Sequence, residues 1–265
     1  MKNGICAIAK DEDNYINEWV DYHLGIGFDF IVVYVNNWRY SGKPLPENVQ
    51  LIPVDGDTMQ LPAYNHFIKE TRGKMDFAAF IDIDEFIALR DDDNVGDALK
   101  RYANLPGLFL NWVPMGDSGK SFDGKTYSVI ERFKLGGKKM DRLGKCLINM
   151  RLADEKLLMT NPHHANIAVM DPNLKYSTPY GYITENLGDN EPLQLYHYRN
   201  KTVEESVERR FRKPDACWEK DNPKNPRNVS MEDFMKDYTR LNQNETERLL
   251  VFNKWEKIKK KTYNI

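Results

Sequence analysis

The residues from Phe77 to Phe86 read Phe-Ala-Ala-Phe-Ile-Asp-Ile-Asp-Glu-Phe. An apolar run delivers three carboxylates, those of Asp82, Asp84 and Glu85, almost together. On an extended strand Asp82 and Asp84 project to one face, about 7 Å apart along the chain. Like charges at that spacing repel by about 1 kcal/mol or more at an intermediate dielectric. Ile81, Ile83 and Phe86 imply partial burial, which raises the cost. A divalent cation would relieve it. Carboxylate oxygens suit Mg²⁺ or Mn²⁺, ions that keep other positions for phosphate oxygens and water. The same spacing also suits the polar face of an exposed edge strand, which needs no ligand.

Other groups could join such a site. Lys10-Asp11-Glu12 and Asn36-Asn37 close two other strand-like runs. His197 ends a late apolar run, and a neutral imidazole is a common Mn²⁺ ligand. His163 and His164 follow Pro162 in a loop-like stretch. His23 and His66 fall within helical patterns and read as core residues. Residues 119–126, Gly-Lys-Ser-Phe-Asp-Gly-Lys-Thr, fit the G-x-x-x-x-G-K-[ST] pattern of phosphate-cradling loops. Three features oppose that reading. The acidic strand precedes the loop instead of following it. Lys120 and Phe122 are bulky where backbone amides must close on phosphate. The preceding apolar run also ends well before Gly119.

The elements that would position these residues alternate. Residues 4–10, 28–37, 49–54 and 76–89 read as strands, and residues 16–24 and 61–74 as amphipathic helices. Pro62 suits a first turn and Gly73 an end. Strands apolar on both faces between amphipathic helices predict a mainly parallel α/β sheet covered by helices. Ligands of such sheets bind beyond the carboxyl ends of the strands, where Lys10, Glu12, Asn36, Asn37, Asp82 and Asp84 fall. Further on, 94–105 reads as helix, 107–115 as strand, 116–145 as Gly- and Lys-rich loop and 192–199 as strand. Residues 202–212, 231–242 and 245–260 read as charged helices. A boundary near residue 200 divides a domain of residues 1–200 from a helical extension of residues 201–265.

The formal net charge of −2 gives no nucleic-acid footprint, which needs a strongly basic face. The basic tail with Trp255 and Ile258 could touch an acidic membrane surface or stand as a solvated helix. Cys6, Cys146 and Cys217 form no C-x-x-C pair, which excludes zinc ribbons and redox motifs and suits a reducing compartment. No apolar run reaches the ~18 residues of a membrane span, and the start reads as a strand, not a signal peptide. A cytoplasmic protein is expected, and the three N-x-[ST] triplets read as chance.

Several stretches, in order, resemble the GT-A-fold glycosyltransferases of the family-2-like group related to glycosyltransferase family 92. They include AIAKDEDNYINEWVDYHLGIG, QLPAYNHF, FAAFIDIDEFI, NWVPMGDSG, KCLINMR, HHA and LYHYRNKTVEESVERRFR. The resemblance spans residues 3–213. It implies a nucleotide-sugar donor, UDP-sugar favoured, with Mn²⁺ or Mg²⁺ on the D-x-D of Asp82 and Asp84. It implies His197 as a further metal ligand, and Lys10, Glu12, Asn36 and Asn37 near the nucleoside. Asp11 and Asn36 replace the family's usual Asn and Asp, which leaves the donor base open. The acceptor would be a hydroxyl of a glycan or lipid-linked saccharide. An inverting enzyme needs a carboxylate base on the far face of the sugar. Asp117 is placed in that role, with Glu185 and Asp189 in reserve, Lys145 at the diphosphate and His163 beside the acceptor. Two other readings are a P-loop nucleotide hydrolase and a catalytically silent sugar- or protein-binding module.

Overall fold

The computed structural model of the chain describes residues 1–178, 190–212 and 228–263. Glu185, Asp189 and Cys217 lie outside them. The first elements are β1 (Asn3–Ala9), α1 (Ile16–Gly25), β2 (Phe30–Asn36), β3 (Val49–Val54) and α2 (Gln60–Thr71). Next come β4 (Phe77–Phe80), β5 (Glu85–Leu89), α3 (Val95–Lys100), β6 (Gly107–Pro114), α4 (Val129–Arg132), β7 (Leu135–Gly136) and β8 (Gly144–Asn149). Short strands β9 (Met159–Asn161), β10 (His164–Ala165), β11 (Val169–Met170) and β12 (Ser177–Thr178) precede β13 (Leu193–His197). α5 (Val203–Val207) runs into a π-helical turn (Glu208–Arg212), and α6 (Met231–Leu241), β14 (Thr246–Glu247) and α7 (Leu250–Tyr263) follow.

β3, β2, β1 and β4 lie side by side in parallel, as the alternating pattern predicts. Beyond β4 the sheet is mixed, not mainly parallel. β8 runs antiparallel to both β4 and β6. Its apolar centre, Cys146-Leu147-Ile148, is short and flanked by glycine and lysine, which gives it the look of a loop. β13 then pairs parallel with β6 and antiparallel with β5.

Alternating side chains of the strands enter two cores. Ile5, Ala7 and Ala9 pack with Trp19 of α1 and Leu99 of α3. Cys6 and Ile8 face the other way, onto Tyr64 and Phe67 of α2. The C-terminal segment is no separate appendage in its packing. Val251, Trp255 and Ile258 of α7 lie in the first core. A Cβ on Gly25 would stand 2.6 Å from Ile258 Cδ1, so this glycine permits the close approach of α7. Trp255 and Ile258 are therefore buried and offer no apolar face to a membrane surface. No helix among the described residues is long and apolar enough to cross a membrane.

The run from Phe77 to Leu89 is not one strand. β4 stays in register with β1 up to the Phe80–Cys6 pair. The chain then turns, with the Glu85 amide donating to the Asp82 carbonyl at 3.1 Å, and β5 leaves to pair with β13. Asp82 and Asp84 thus sit in a turn, and the strand argument for one shared face does not apply to them.

His23 is a core residue, as its helical position predicts. Its Nδ1 donates to the Trp19 carbonyl at 2.8 Å, and its Nε2 accepts from the Ile87 amide at 3.3 Å. Burial lowers its pKa to about 3. A histidine depressed this way binds its proton in the unfolded chain first, so its contribution to stability is present above the ordinary histidine value near 6.5 and fades as pH falls toward 3. Urea unfolding at pH 7 and pH 4 should show a smaller loss for His23→Gln than for wild type; equal losses would contradict this assignment. His66 differs from expectation. It is exposed, and its Nδ1 shares a hydrogen bond with the Tyr34 hydroxyl at 2.7 Å.

Candidate functional site

Both aspartates of the turn face positive charge from the chain itself, but in different directions. Asp82 points toward α2 and β8. Its Oδ2 accepts from Lys145 Nζ at 2.8 Å, and its Oδ1 from Gln60 Nε2 at 2.9 Å and Tyr64 Oη at 3.3 Å. Lys145 also donates to the Pro162 carbonyl at 3.2 Å and is almost wholly buried. Asp84 points the other way. Its Oδ2 is bound by Arg209 from the π-helical turn, and its Oδ1 lies 3.7 Å from His197 Nε2. Burial pushes the Asp84 carboxyl up, but Arg209, His197 and Lys201 outweigh it and hold it well below the usual carboxylate range. Burial likewise lowers His197 against the pull of Asp84, which favours the neutral ring.

Register brings His197 to this place. In the β13–β5 ladder it stands opposite Glu85, and in the β13–β6 ladder opposite Pro114. Glu85 is fully buried and ties the turn together. Its Oε1 accepts from Trp112 Nε1 at 2.7 Å and its Oε2 from the Asp82 amide at 2.8 Å. The Trp112 ring packs at 4.2 Å from His197 and 5.4 Å from His163. His163 Nδ1 donates to the Gly144 carbonyl at 2.9 Å, which sets its tautomer. Burial and nearby Lys145 lower its pKa to about 4.

Asp84 and His197 are a donor pair that fits a divalent cation. Their separation is one that two ligands of a single ion can have, and the neutral imidazole is the ligating form. Among the described residues, no three His, Cys, Asp or Glu side chains gather as a metal-binding group. The pair therefore suits an ion that completes its shell from phosphate oxygens and water.

At the other strand ends, Asp11 adopts a φ of 56° and Asn37 one of 46°, conformations that Asp and Asn tolerate. Asn37 grips Gly56 from both sides, accepting from its amide and donating to its carbonyl at 3.0 Å each. Asn36 Nδ2 donates to the same carbonyl at 2.9 Å, while its buried Oδ1 has no partner among the described residues. Lys10 and Glu12 follow β1, both half-buried.

Asp117 is committed elsewhere. Its carboxylate accepts from the Gly119 amide and Asn244 Nδ2, both at 2.8 Å, and from the Tyr238 hydroxyl at 2.9 Å. Partial burial opposes these donors, yet together they lower its pKa. This arrangement staples the loop after β6 to the segment after α6. The Gly119–Thr126 loop does not form a phosphate cradle. Its Lys125 and Thr126 amides donate to Asp123 Oδ1 at 2.9 and 2.8 Å, which leaves them turned inward.

A cleft of about 420 Å³ opens beside the acidic turn, lined by Glu12, Tyr15, Tyr127, Lys201, Glu205 and Arg209 among others. Lys201 is buried, and its ammonium lies 4.5 Å from the centre of the Tyr15 ring with no hydrogen bond to a described residue. Burial lowers its pKa. Glu205 closes a capping box with Thr202 and accepts a two-pronged bond from Arg132, at 2.8 and 2.7 Å, and one from Tyr15 at 2.7 Å. Sequence assigns no individual role to Lys201, Arg209, Trp112 or Tyr15, although Lys201 and Arg209 fall in the LYHYRNKTVEESVERRFR stretch that carries the family resemblance. A signal for Arg209 exists: it falls four residues after Glu205, on the same helical face.

No family model matches the chain. Over 107 residues it is 28% identical to a glycosyltransferase family 92 protein of Ricinus communis, a match covering 38% of this chain and 19% of that protein. The chain thus spans less than a fifth of the length of that curated relative. Among solved structures, the crystal structure of S. aureus TarS is similar over 46% of this chain and 23% of that one, at 13% identity and a TM-score of 0.31. Over those 107 residues the chain is similar in sequence to a glycosyltransferase family 92 protein, a member of the group that its own motifs resemble.

Proposed function

We propose that the chain is a GT-A-type glycosyltransferase that moves a sugar from a nucleotide-sugar, UDP-sugar favoured, to a hydroxyl of a glycan or lipid-linked saccharide. One observation carries this reading: the acidic turn, His197 and the buried Lys201 meet at the carboxyl ends of parallel strands, beside a cleft. Asp84 and His197 would hold a Mn²⁺ or Mg²⁺ ion. When bound, such an ion offsets the charge that a diphosphate leaving group gains. Lys201 would hold a phosphate oxygen of that group, its ammonium already stripped of water. Asp82, anchored by Lys145 and Gln60, would orient the donor sugar side of the turn. Lys10, Asn36 and Asn37 would face the nucleoside. Proton removal from the acceptor, in an inverting reaction, falls to a carboxylate of the cleft such as Glu12 or Glu204 instead of the stapled Asp117.

Calorimetry with UDP, GDP and dTDP, each in Mn²⁺ or in EDTA, tests the reading. Binding that needs Mn²⁺ and weakens about tenfold or more in Lys201→Ala is expected, since a charge-assisted hydrogen bond contributes about 1.5–3 kcal/mol. Equal binding of all three in EDTA would overturn the metal assignment. ATP hydrolysis lost in Lys125→Ala would restore the P-loop alternative.

A further inference from the structure

Residues 119–126 imitate a phosphate loop in sequence and, with Tyr127 and Ser128, do another thing in space. Phe122 and Tyr127 pack with ring centroids 5.1 Å apart and their planes tilted by 60°, and Tyr127 meets Tyr15 edge to face at 5.7 Å. All three rings line the cleft. Around them the loop is exposed at Ser121, Asp123, Gly124, Lys125 and Thr126, while both rings stay half-buried.

The wall is held from below. The Arg132 guanidinium lies 5.7 Å from the Phe122 ring, and the same guanidinium grips Glu205. Ser128 Oγ donates to Glu18, and the Val129 amide donates to it at 2.8 Å. The rings are therefore fixed in place and not draped at random. Near them the cleft carries carboxylates, with Glu12 half-buried in the loop after β1 and Glu204 exposed on α5. Arg209 is held by Asp84 and Arg132 by Glu205, while Lys201 stands against the Tyr15 ring and Arg199 also lines the cleft.

An exposed aromatic ring face beside carboxylate acceptors, in a concave space, is the chemistry that recognises a sugar ring. The ring's C–H face lies on the aromatic face and its hydroxyls donate to the carboxylates. We propose that Phe122 and Tyr127 form a saccharide platform that seats a neutral, hydroxyl-rich ring of the acceptor, with Glu12 and Glu204 accepting its hydroxyls. Lys201 stands in the same cleft, so a sugar on the platform would have a hydroxyl turned toward the phosphate-binding end. Calling this sugar the acceptor rests on the transferase reading; the sugar-binding chemistry does not.

Saturation-transfer NMR tests the platform with the methyl glycosides of glucose, galactose and N-acetylglucosamine, each with UDP and Mn²⁺ present. Wild type should pass saturation to at least one glycoside. Phe122→Ala and Tyr127→Ala should reduce that signal roughly fivefold, the scale of one aromatic contact. Tyr127→Trp, which keeps a ring face, should retain it, and a thermal melt checks that every variant folds. UDP affinity, measured separately by calorimetry, should stay unchanged in all three. No glycoside signal in wild type, or an undiminished one in the alanine variants, overturns the platform. Loss of the UDP signal in Tyr127→Ala would assign the rings to the nucleobase and overturn it as well. A ring-dependent glycoside signal without any UDP binding would uphold the platform while removing the transferase reading.

Discussion

Asp84→Asn should leave the chain folded and lower sugar transfer by a factor of about 10² to 10³, the scale of losing one preorganised electrostatic group at a reacting centre. The substitution keeps the size of the side chain and removes its charge. Arg209 and His197 both face that charge, and Arg209 owes its raised pKa first to Asp84. Without the carboxylate, Arg209 can turn to water, because its side chain is already 36% exposed. The stability loss should therefore be modest, and the functional loss large. Release of nucleoside diphosphate from a UDP-sugar, followed together with a thermal melt, separates the two. Near-normal release in a folded Asp84→Asn would remove the acidic turn from the chemistry. The companion variant Arg209→Ala gives the opposite sign for metal affinity. It leaves Asp84 with an oxygen that no guanidinium occupies, so Mn²⁺ should bind at least as tightly as in wild type.

Much of the first half of the fold is legible in sequence because each strand of β3-β2-β1-β4 is a continuous apolar run bounded by turn residues. The first two helices show a clear apolar face for the same reason. The acidic turn reads as strand in sequence because Ile81 and Ile83 continue the apolar alternation through it. Only the long-range choice of partner, β1 for Phe77–Phe80 and β13 for Glu85–Leu89, breaks the run, and no local pattern reports that choice. β8 is not legible in sequence for the reverse reason: its apolar centre is three residues long, and its place between β4 and β6 comes from the sheet. The packing of α7 into the first core was hidden because its lysines dominate the composition while Val251, Trp255 and Ile258 carry the contact. At the site, His197 was legible as a strand-end imidazole. Asp117 was not, since its partners Tyr238 and Asn244 lie more than a hundred residues away and decide whether its oxygens are free. Lys201 is an ordinary lysine in sequence, and only its burial against Tyr15 gives it a role.

Glu85 should prove the least replaceable carboxylate for stability. It has no exposure, and its two oxygens serve two different N–H donors, the Trp112 indole and the Asp82 amide. Glu85→Ala would leave both donors unpaired in the interior, at about 1–3 kcal/mol each, with a cavity besides. A loss of about 4 kcal/mol in urea unfolding is expected on those terms. Glu85→Gln is not conservative here, because one end of the amide must present its own N–H to a donor. It should lose about 2 kcal/mol, and nucleotide binding should fall with it, since Trp112 packs on His197 and the Asp82 amide shapes the turn. The pH dependence has a definite sign. Burial pushes the Glu85 carboxyl well above the ordinary range, with Lys145 pulling it back and Asp82 and Asp84 pushing it further. A carboxyl raised in the folded state holds its proton more tightly there than in the unfolded chain. Its contribution is therefore full below the ordinary carboxylate range and is lost as pH rises through the raised folded value. The stability gap between wild type and Glu85→Gln should narrow as pH increases from that range. A gap that stays constant with pH would show that Glu85 titrates alike in both states, and that the turn is held by its hydrogen bonds without any linkage to protons.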